Sequence, residues 1–464
     1  MNEKVLSLPA IRQVPAHDKA GRGPHITFAR QLVQRLLTGL AHGRLIIHEE
    51  GASGTFGAGA PDIHLYIHDA RAWPAFAFGG SVGAGESFMD GAWSCDDLVG
   101  LVQLLLRNRM VLDRLDSGLT QLVMPLRRIR HWLRRNSHSG SRRNIAAHYD
   151  LGNDFYRLWL DSTLMYSCAL YEHGNMTLRQ ASIAKLDRIC RTLNLGPDDH
   201  VLEIGTGWGG FAHYAAGRYG CRVTSITLSR EQHDLASKRI RSAGLDDRVD
   251  IHLRDYRDME GRFDKLVSIE MIEAVGANNL DTYFKQCARL LKPNGAMLLQ
   301  AITISDQRYS QALREVDFIQ QYIFPGGFLP SIQALSTSMT RSSDLRIVHL
   351  DDIGPHYATT LAAWRERFME RLDDVRALGF DEHFIRMWLF YLCYSEGGFR
   401  ERALGTVQML LTRPEWRGDV QTARLDTAGE HEGLNAGQGQ RNRRERFWAA
   451  EGWPRRGEAH GWAG

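Results

Sequence analysis

VLEIGTGWGGF, residues 201–211, is an apolar run with one acidic residue, followed by Gly205, Gly207 and Gly210 at GxGxxG spacing. An apolar run ending in glycines predicts a buried strand that turns tightly into a helix. Glycine there lets a ligand come close to the backbone, in space a Cβ would fill. The spacing alone also fits a purely structural turn. A dinucleotide site would call for an acid about 20 positions on, at the end of the next strand. That strand runs instead into ITLSREQ (226–232), with no acid before Glu231. The acids lie at Glu203, before the glycines, and at Asp255, after the third strand. That arrangement suits a mononucleoside such as S-adenosylmethionine.

Around this motif, residues 146–412 alternate strand and helix patterns, the signature of a parallel sheet covered on both faces. Strands are expected at 200–205, 221–228, 249–255, 263–270, 296–304, 345–351 and 406–412, with helices starting near Gly209, Ser229, Asn278 and Gln307. Before it, residues 1–110 read as a small α+β domain. A helical pattern spans 26–42, strand-like runs lie at 44–50 and 61–69, and a closing helix runs from about Asp96 to Asn108. Ten glycines between Gly51 and Gly100 predict turns and close backbone approaches there. The tail, 413–464, loses periodicity and is expected to be disordered, although Trp416, Trp448, Trp453 and Trp462 are odd for a pure tail.

The 464 residues carry 57 basic and 54 acidic side chains, a net charge of +3, so nothing global points to a nucleic-acid partner. Fifty of the basic residues are Arg. Coding bias explains such an excess blandly; recognition of planar or phosphate anions explains it functionally. Seven of these arginines, Arg127, Arg128, Arg130, Arg134, Arg135, Arg142 and Arg143, lie in the acid-free stretch from Ser117 to Tyr149. Interleaved with Leu122, Val123, Met124, Leu126, Ile129, Trp132 and Leu133, they make 111–145 a basic amphipathic linker. It is suited to an anionic membrane surface or, equally, to a solvated interdomain helix. The six cysteines are scattered without ligand spacing, so no metal and no disulfide framework is expected, and a reducing cytoplasmic compartment fits. The first 20 residues lack an apolar core, and no run reaches transmembrane length.

HYDLGNDFYRLWLDSTLMYSCALY (148–171), the glycine motif, ITLSREQ, SIEMIEAVG (268–276), DFIQQYIFPGGFLPS (317–331), HYATTLAAW (356–364) and EGGFRERALGTVQ (396–408) follow one another along the chain. In this order they resemble the cyclopropane-fatty-acyl-phospholipid and mycolic-acid cyclopropane synthases. The resemblance implies an α/β, seven-stranded class I S-adenosylmethionine methyltransferase fold, Rossmann-like, with the small α+β unit in front. It also implies methylene transfer from S-adenosylmethionine to the cis double bond of an unsaturated phospholipid acyl chain. Carried over by motif, Tyr166 and Ser167 hold the methionine end. Glu203, Gly205, Gly207 and Gly210 lie beneath the nucleoside, Thr227, Ser229 and Gln232 flank the ribose, and Asp255 and Tyr256 flank the adenine. The implied location is the inner face of the membrane, with peripheral attachment and a homodimer as candidate assembly.

The chemistry asks for particular groups. An alkene is a weak nucleophile, so catalysis rests on placing the sulfonium methyl against it and excluding water. The carbocation that follows needs an aromatic face or a carboxylate, and ring closure needs a base to take a proton from the new methyl group. The resemblance implies bicarbonate as that base, held by Cys168, Glu273, Ile302 and Tyr357. Glu273 sits in an otherwise apolar segment, where an unpartnered carboxylate is costly. Cys168 alternatively reads as a small buried hydrophobe. Phe324, Phe328 and Leu329 read as core or as an acyl-chain entrance. Two positions depart from the family pattern. Gln300 stands where a histidine is usual, and Ser395 where a cysteine is usual, with Cys393 two residues earlier. With Cys168, Glu273 and Tyr357 they complete the expected catalytic set. These two departures leave open a catalytically silent lipid-binding relative; a methyl- or methylene-branching relative is the nearest alternative, and a small-molecule N- or O-methyltransferase is disfavoured by Glu273, Tyr357 and YSCALY, which it would not need.

Overall fold

The computed structural model describes residues 23–109, 111, 113 and 151–419. The basic linker from residue 114 on, the first 22 residues and the tail beyond 419 lie outside the described residues.

The N-terminal unit is a four-stranded sheet with helices on it. Its elements run α1 Pro24–Leu37, β1 Gly43–Glu49, β2 Ala52–Ala58, β3 Asp62–Ile67, α2 Ala72–Met89, β4 Trp93–Cys95 and α3 Leu98–Arg107, with strand order β2-β1-β3-β4. α1 turns one apolar stripe, Ile26, Ala29, Val33 and Leu37, inward. The glycine-rich stretches make the close backbone approaches expected of them, with turns at Gly51, Gly59 and Gly91, but most of their length is strand and helix. GASGTFGA is β2, in full antiparallel register with β1. Most of the second stretch lies in α2, which is kinked where Gly80 leaves the helical region (φ 53°, ψ −149°). Close packing explains glycines inside a helix. A Cβ on Gly85 would stand 2.3 Å from the Phe318 ring, and one on Gly83 2.5 Å from the Ala75 carbonyl.

The second unit runs α4 Asn153–Trp159, α5 Leu178–Thr192, β5 His200–Ile204, α6 Gly210–Tyr214, β6 Arg222–Thr227, α7 Arg230–Ser242, β7 Val249–Leu253 and β8 Phe263–Ile269. It continues with α8 Leu280–Leu290, β9 Leu291–Ile304, α9 Asp306–Ala312, α10 Ile332–Ser342, β10 Arg346–Asp352, α11 Gly354–Glu370, α12 Leu372–Ala377, α13 Glu382–Arg400 and β11 Leu404–Thr412. The seven strands are ordered β10-β11-β9-β8-β5-β6-β7, and β11 is antiparallel to both neighbours. From β5 the chain adds β6 and β7 on one side and then returns to add β8 on the other, all four strands parallel, so the strand order reverses at β5. The crevice beyond the carboxyl ends of β5 and β8 is thus the topological switch point, where open α/β sheets take their ligands.

The two units share one hydrophobic cluster, which runs from Val33 and Leu45 through Phe88 and Trp93 to Phe390 and Trp388. α13 packs on α2 and α3. At its C-cap, Glu401 accepts hydrogen bonds from Gln103 (2.6 Å) and Arg107 (3.0 Å), while Tyr322 donates to Glu86 at 2.6 Å. The tail is docked at its start, against the expected disorder. Arg413 pairs with Asp344 at 2.9 Å, its amide bonds the Gly295 carbonyl, and Trp416 packs on the core beneath the sheet.

Candidate active site

One continuous cavity of about 610 Å³ opens at the switch point. Glu203, Gly205, Gly207 and Trp208 line it from β5 and the glycine turn, Thr227, Leu228 and Gln232 from β6 and α7, and Arg254 and Tyr256 from beyond β7. Gly205 (φ 99°) and Gly207 (φ 51°) both have positive φ, and the latter has open space where a Cβ would be. Glu203 is buried at 3% exposure and accepts a 2.5 Å hydrogen bond from Ser225, itself bonded to Thr206 at 2.7 Å. Burial pushes its carboxyl up to about 8, with the Ser225 bond pulling the other way.

Three residues expected at the cofactor stand behind that wall. Gly210 faces the YSC segment, where a Cβ would meet Met165 Sδ at 2.5 Å and the Thr163 carbonyl at 2.9 Å, so packing requires it. Ser229 caps α7 by accepting from the Gln232 amide. It thereby helps orient Gln232, whose side chain accepts from Thr227 Oγ1 at 2.9 Å. Asp255 is engaged by Arg257 through bonds of 2.9 and 2.6 Å and does not line the cavity. Tyr166 and Ser167 do line it; Tyr166 shares a 2.8 Å hydrogen bond with Tyr391, and Ser167 accepts from the buried Lys185 ammonium at 2.5 Å.

At the end of β8 the structure brings together the rest of the expected set around a residue that sequence reasoning missed, Glu270. Its Oε1 accepts from the Cys168 amide (2.9 Å) and from Gln300 Nε2 (2.7 Å), and its Oε2 accepts from the Tyr357 hydroxyl at 2.7 Å. Gln300 is oriented by Gln408, which donates to its Oε1 at 2.9 Å. Glu273 is one 3₁₀ turn further on and accepts from the Ile302 amide at 2.5 Å; its Oε2 has no partner among the described residues. Cys168 contributes its backbone only. Its side chain is fully buried toward the Ala169 and Ile353 carbonyls, and burial lifts the thiol well above its ordinary value.

The groups expected to cradle bicarbonate thus converge, but they do not offer it a site. The Cys168 and Tyr357 donors are already spent on Glu270, and the Ile302 amide on Glu273. Bicarbonate does not fit this arrangement. Glu270 also holds a left-handed backbone at φ 50°, unusual for a residue with a Cβ and costing on the order of 1–3 kcal/mol. A pair of acids at a strand end, Glu-Met-Ile-Glu, was the only sequence signal for it.

Burial pushes the Glu270 carboxyl up. The Lys185 ammonium and the Tyr357, Gln300 and Cys168 donors pull it back. Glu273 is pushed up to about 8 by burial and by the charge of Glu270, so at neutral pH it carries the proton.

The cavity is also lined by apolar side chains. Phe324, Phe328 and Leu329 line it, as does Ser395 with Phe399 on α13, whereas Cys393 is buried in the core. It reaches between the sheet and helices of the N-terminal unit, where Leu45, Ile47, Leu65, Val33, Leu37 and Leu101 form its wall.

The sheet order, the glycine turn at the switch point and the cavity above it define a class I S-adenosylmethionine-dependent methyltransferase. Residues 136–409 match the family described as mycolic acid cyclopropane synthetase, and the chain belongs to that family. It is 40% identical over 420 residues to the tuberculostearic acid methyltransferase UfaA1 of Mycobacterium tuberculosis, covering 86% of this chain and 95% of that protein. It is likewise 40% identical over 338 residues to the cyclopropane-fatty-acyl-phospholipid synthase of Escherichia coli K12, covering 72% and 84%. The solved mycolic acid cyclopropane synthase CmaA1, complexed with SAH and CTAB, superposes with a TM-score of 0.55 at 30% identity, covering 58% of this chain and 98% of that one.

Proposed function

We propose that the protein transfers the methyl carbon of S-adenosylmethionine to the cis double bond of an unsaturated phospholipid acyl chain and closes it to a cyclopropane. One observation carries this reading: the cavity lined by the glycine turn is also lined by apolar side chains of both units. Such a lining suits a nucleoside together with a long alkyl chain. Gly205, Gly207, Glu203, Thr227, Gln232 and Tyr256 would bind the nucleoside, with Tyr166 and Ser167 at the methionine end. The alkene would then lie beside Tyr166, Phe324 and Tyr357, whose ring faces can stabilise a developing cation. Ser395 lies in this wall and acts by shape and polarity, since no covalent enzyme intermediate is required. The cavity's apolar lining excludes water, which would otherwise quench the cation.

A second reading, release as a methylene-branched chain, or as a methyl-branched one where a separate hydride donor reduces the cation, is favoured by the similarity to a tuberculostearic acid methyltransferase over nearly that protein's whole length. The substrate's residence in a bilayer, together with the basic linker, supports peripheral attachment to an anionic, cytoplasmic membrane face. Among the described residues no helix is long and apolar enough to cross a membrane. A homodimer is compatible with this reading. The test is to incubate the protein with S-adenosylmethionine and dioleoyl-phosphatidylglycerol vesicles and examine the acyl chains by NMR. Upfield cyclopropane protons support the first reading and vinylidene signals the second. Unchanged chains, with protein that binds S-adenosylmethionine, would exclude both.

A further inference from the structure

We propose that Glu270 is the resident base of the reaction, a carboxylate built into the chain in the place where its relatives' resemblance implies a bound bicarbonate. The inference rests on the alkene-methylation reading above. Four observations carry it. Glu270 lines the cavity, as do the glycine turn and the apolar side chains of both units. Its two oxygens take up the donors that would otherwise hold a small oxyanion, from Cys168, Tyr357 and Gln300. Gln300 is locked by Gln408 with its amide nitrogen turned toward the carboxylate. The backbone holds Glu270 at φ 50°, a conformation maintained only where the surroundings impose it.

The step balances without a further reagent. The alkene π electrons form the new carbon–carbon bond as the sulfonium–methyl bond breaks, leaving S-adenosylhomocysteine and a carbocation. Glu270 then takes a proton from the added methyl group, and that C–H electron pair closes the ring, or forms an exocyclic double bond after a hydride shift. The neutral acid returns its proton to solvent when products leave. Lys185 is a positioning residue here: fully buried, it favours the ionised form of Glu270 and fixes Ser167. Glu273, pushed up to about 8 by burial and by Glu270, carries the proton at neutral pH and does not compete as the base.

The test compares wild type, Glu270→Gly and Glu270→Gln, as full chains, in carbon-dioxide-free buffer with and without added bicarbonate, using dioleoyl-phosphatidylglycerol vesicles and labelled S-adenosylmethionine. Glycine suits the positive φ and vacates the three donors, so this variant should fold and should accept a small oxyanion. Expected are wild-type turnover unchanged within twofold by bicarbonate and a loss of at least 100-fold in Glu270→Gly. Bicarbonate or formate should restore at least 10-fold of that loss, and S-adenosylmethionine binding should be retained. Glu270→Gln, which keeps the shape, should lose turnover similarly without rescue. A wild type that requires bicarbonate, or near-normal turnover by either variant in depleted buffer, would overturn the assignment while leaving alkene methylation intact. A wild type that binds S-adenosylmethionine but alkylates no acyl chain under either condition would overturn the functional reading, and this one with it.

Discussion

Glu203→Gln isolates the electrostatics of the glycine-loop site from the rest of the chain. The Glu203 carboxyl is 3% exposed and sits at about 8 in the native protein, because burial outweighs the bond from Ser225. In the unfolded chain it returns to about 4.5. Between those values the native state keeps a proton that the unfolded state has lost, so stability is complete below about pH 4.5 and falls as the pH rises toward 8. The slope from one such group is at most about 1.4 kcal/mol per pH unit. Glutamine preserves the shape and the acceptor for Ser225 and has no proton to lose. The stability of Glu203→Gln relative to wild type should therefore rise by roughly 2–3 kcal/mol between pH 6 and pH 8. Glu273 titrates alike in both proteins and cancels in the comparison. The assay is thermal or urea unfolding of the ligand-free proteins at unit pH steps. Stability curves that stay parallel within about 0.5 kcal/mol over that range would refute the argument. S-adenosylmethionine brings a sulfonium and an ammonium, which favour the carboxylate. Its binding at pH 7 should release protons, visible as a buffer-dependent heat.

Tyr357→Phe removes a charge-assisted bond to Glu270, worth about 1.5–3 kcal/mol, and so raises its carboxyl, because that bond holds the carboxylate form. The acidic limb of the pH–rate profile should move up, and an unmoved limb would exclude the coupling. All six cysteines are buried, so a thiol reagent should label none of them in the native state and all six after denaturation. Rapid native labelling of Cys168 would contradict its placement. Neutralising Arg127, Arg128, Arg130, Arg134 and Arg135 together should weaken binding to anionic vesicles and flatten its salt dependence, at about 1 kcal/mol per engaged side chain. Unchanged sedimentation with vesicles would return the arginine excess to coding bias.

The seven strands of the large sheet and the glycine turn were readable because their signals are local. Runs such as HVLEI and TVQMLLT are continuous apolar segments of strand length, and periodicity needs no knowledge of neighbours. The glycine-rich N-terminal stretches misled in part, for the opposite reason. GASGTFGA becomes a strand through pairing with β1, and Gly83 and Gly85 are tolerated within a helix because Ala75 and Phe318 approach too closely for a Cβ.

The same division runs through the site. Residue types that line the cavity, Glu203, Tyr166, Glu273 and Tyr357, follow from short motifs whose spacing survives any tertiary detail. Which of them point into the cavity does not: Asp255 turns to Arg257, Ser229 to the α7 cap, and the Cys168 thiol away from the cavity. Glu270 was invisible as a hub because its three partners come from positions 168, 300 and 357, joined only when the ends of β8 and β9, the YSC segment and α11 meet. Chain order carries the class of chemistry, since a glycine turn after a buried strand is a local structure. The identity of the base depends on distances between residues scores of positions apart, and folding alone sets those.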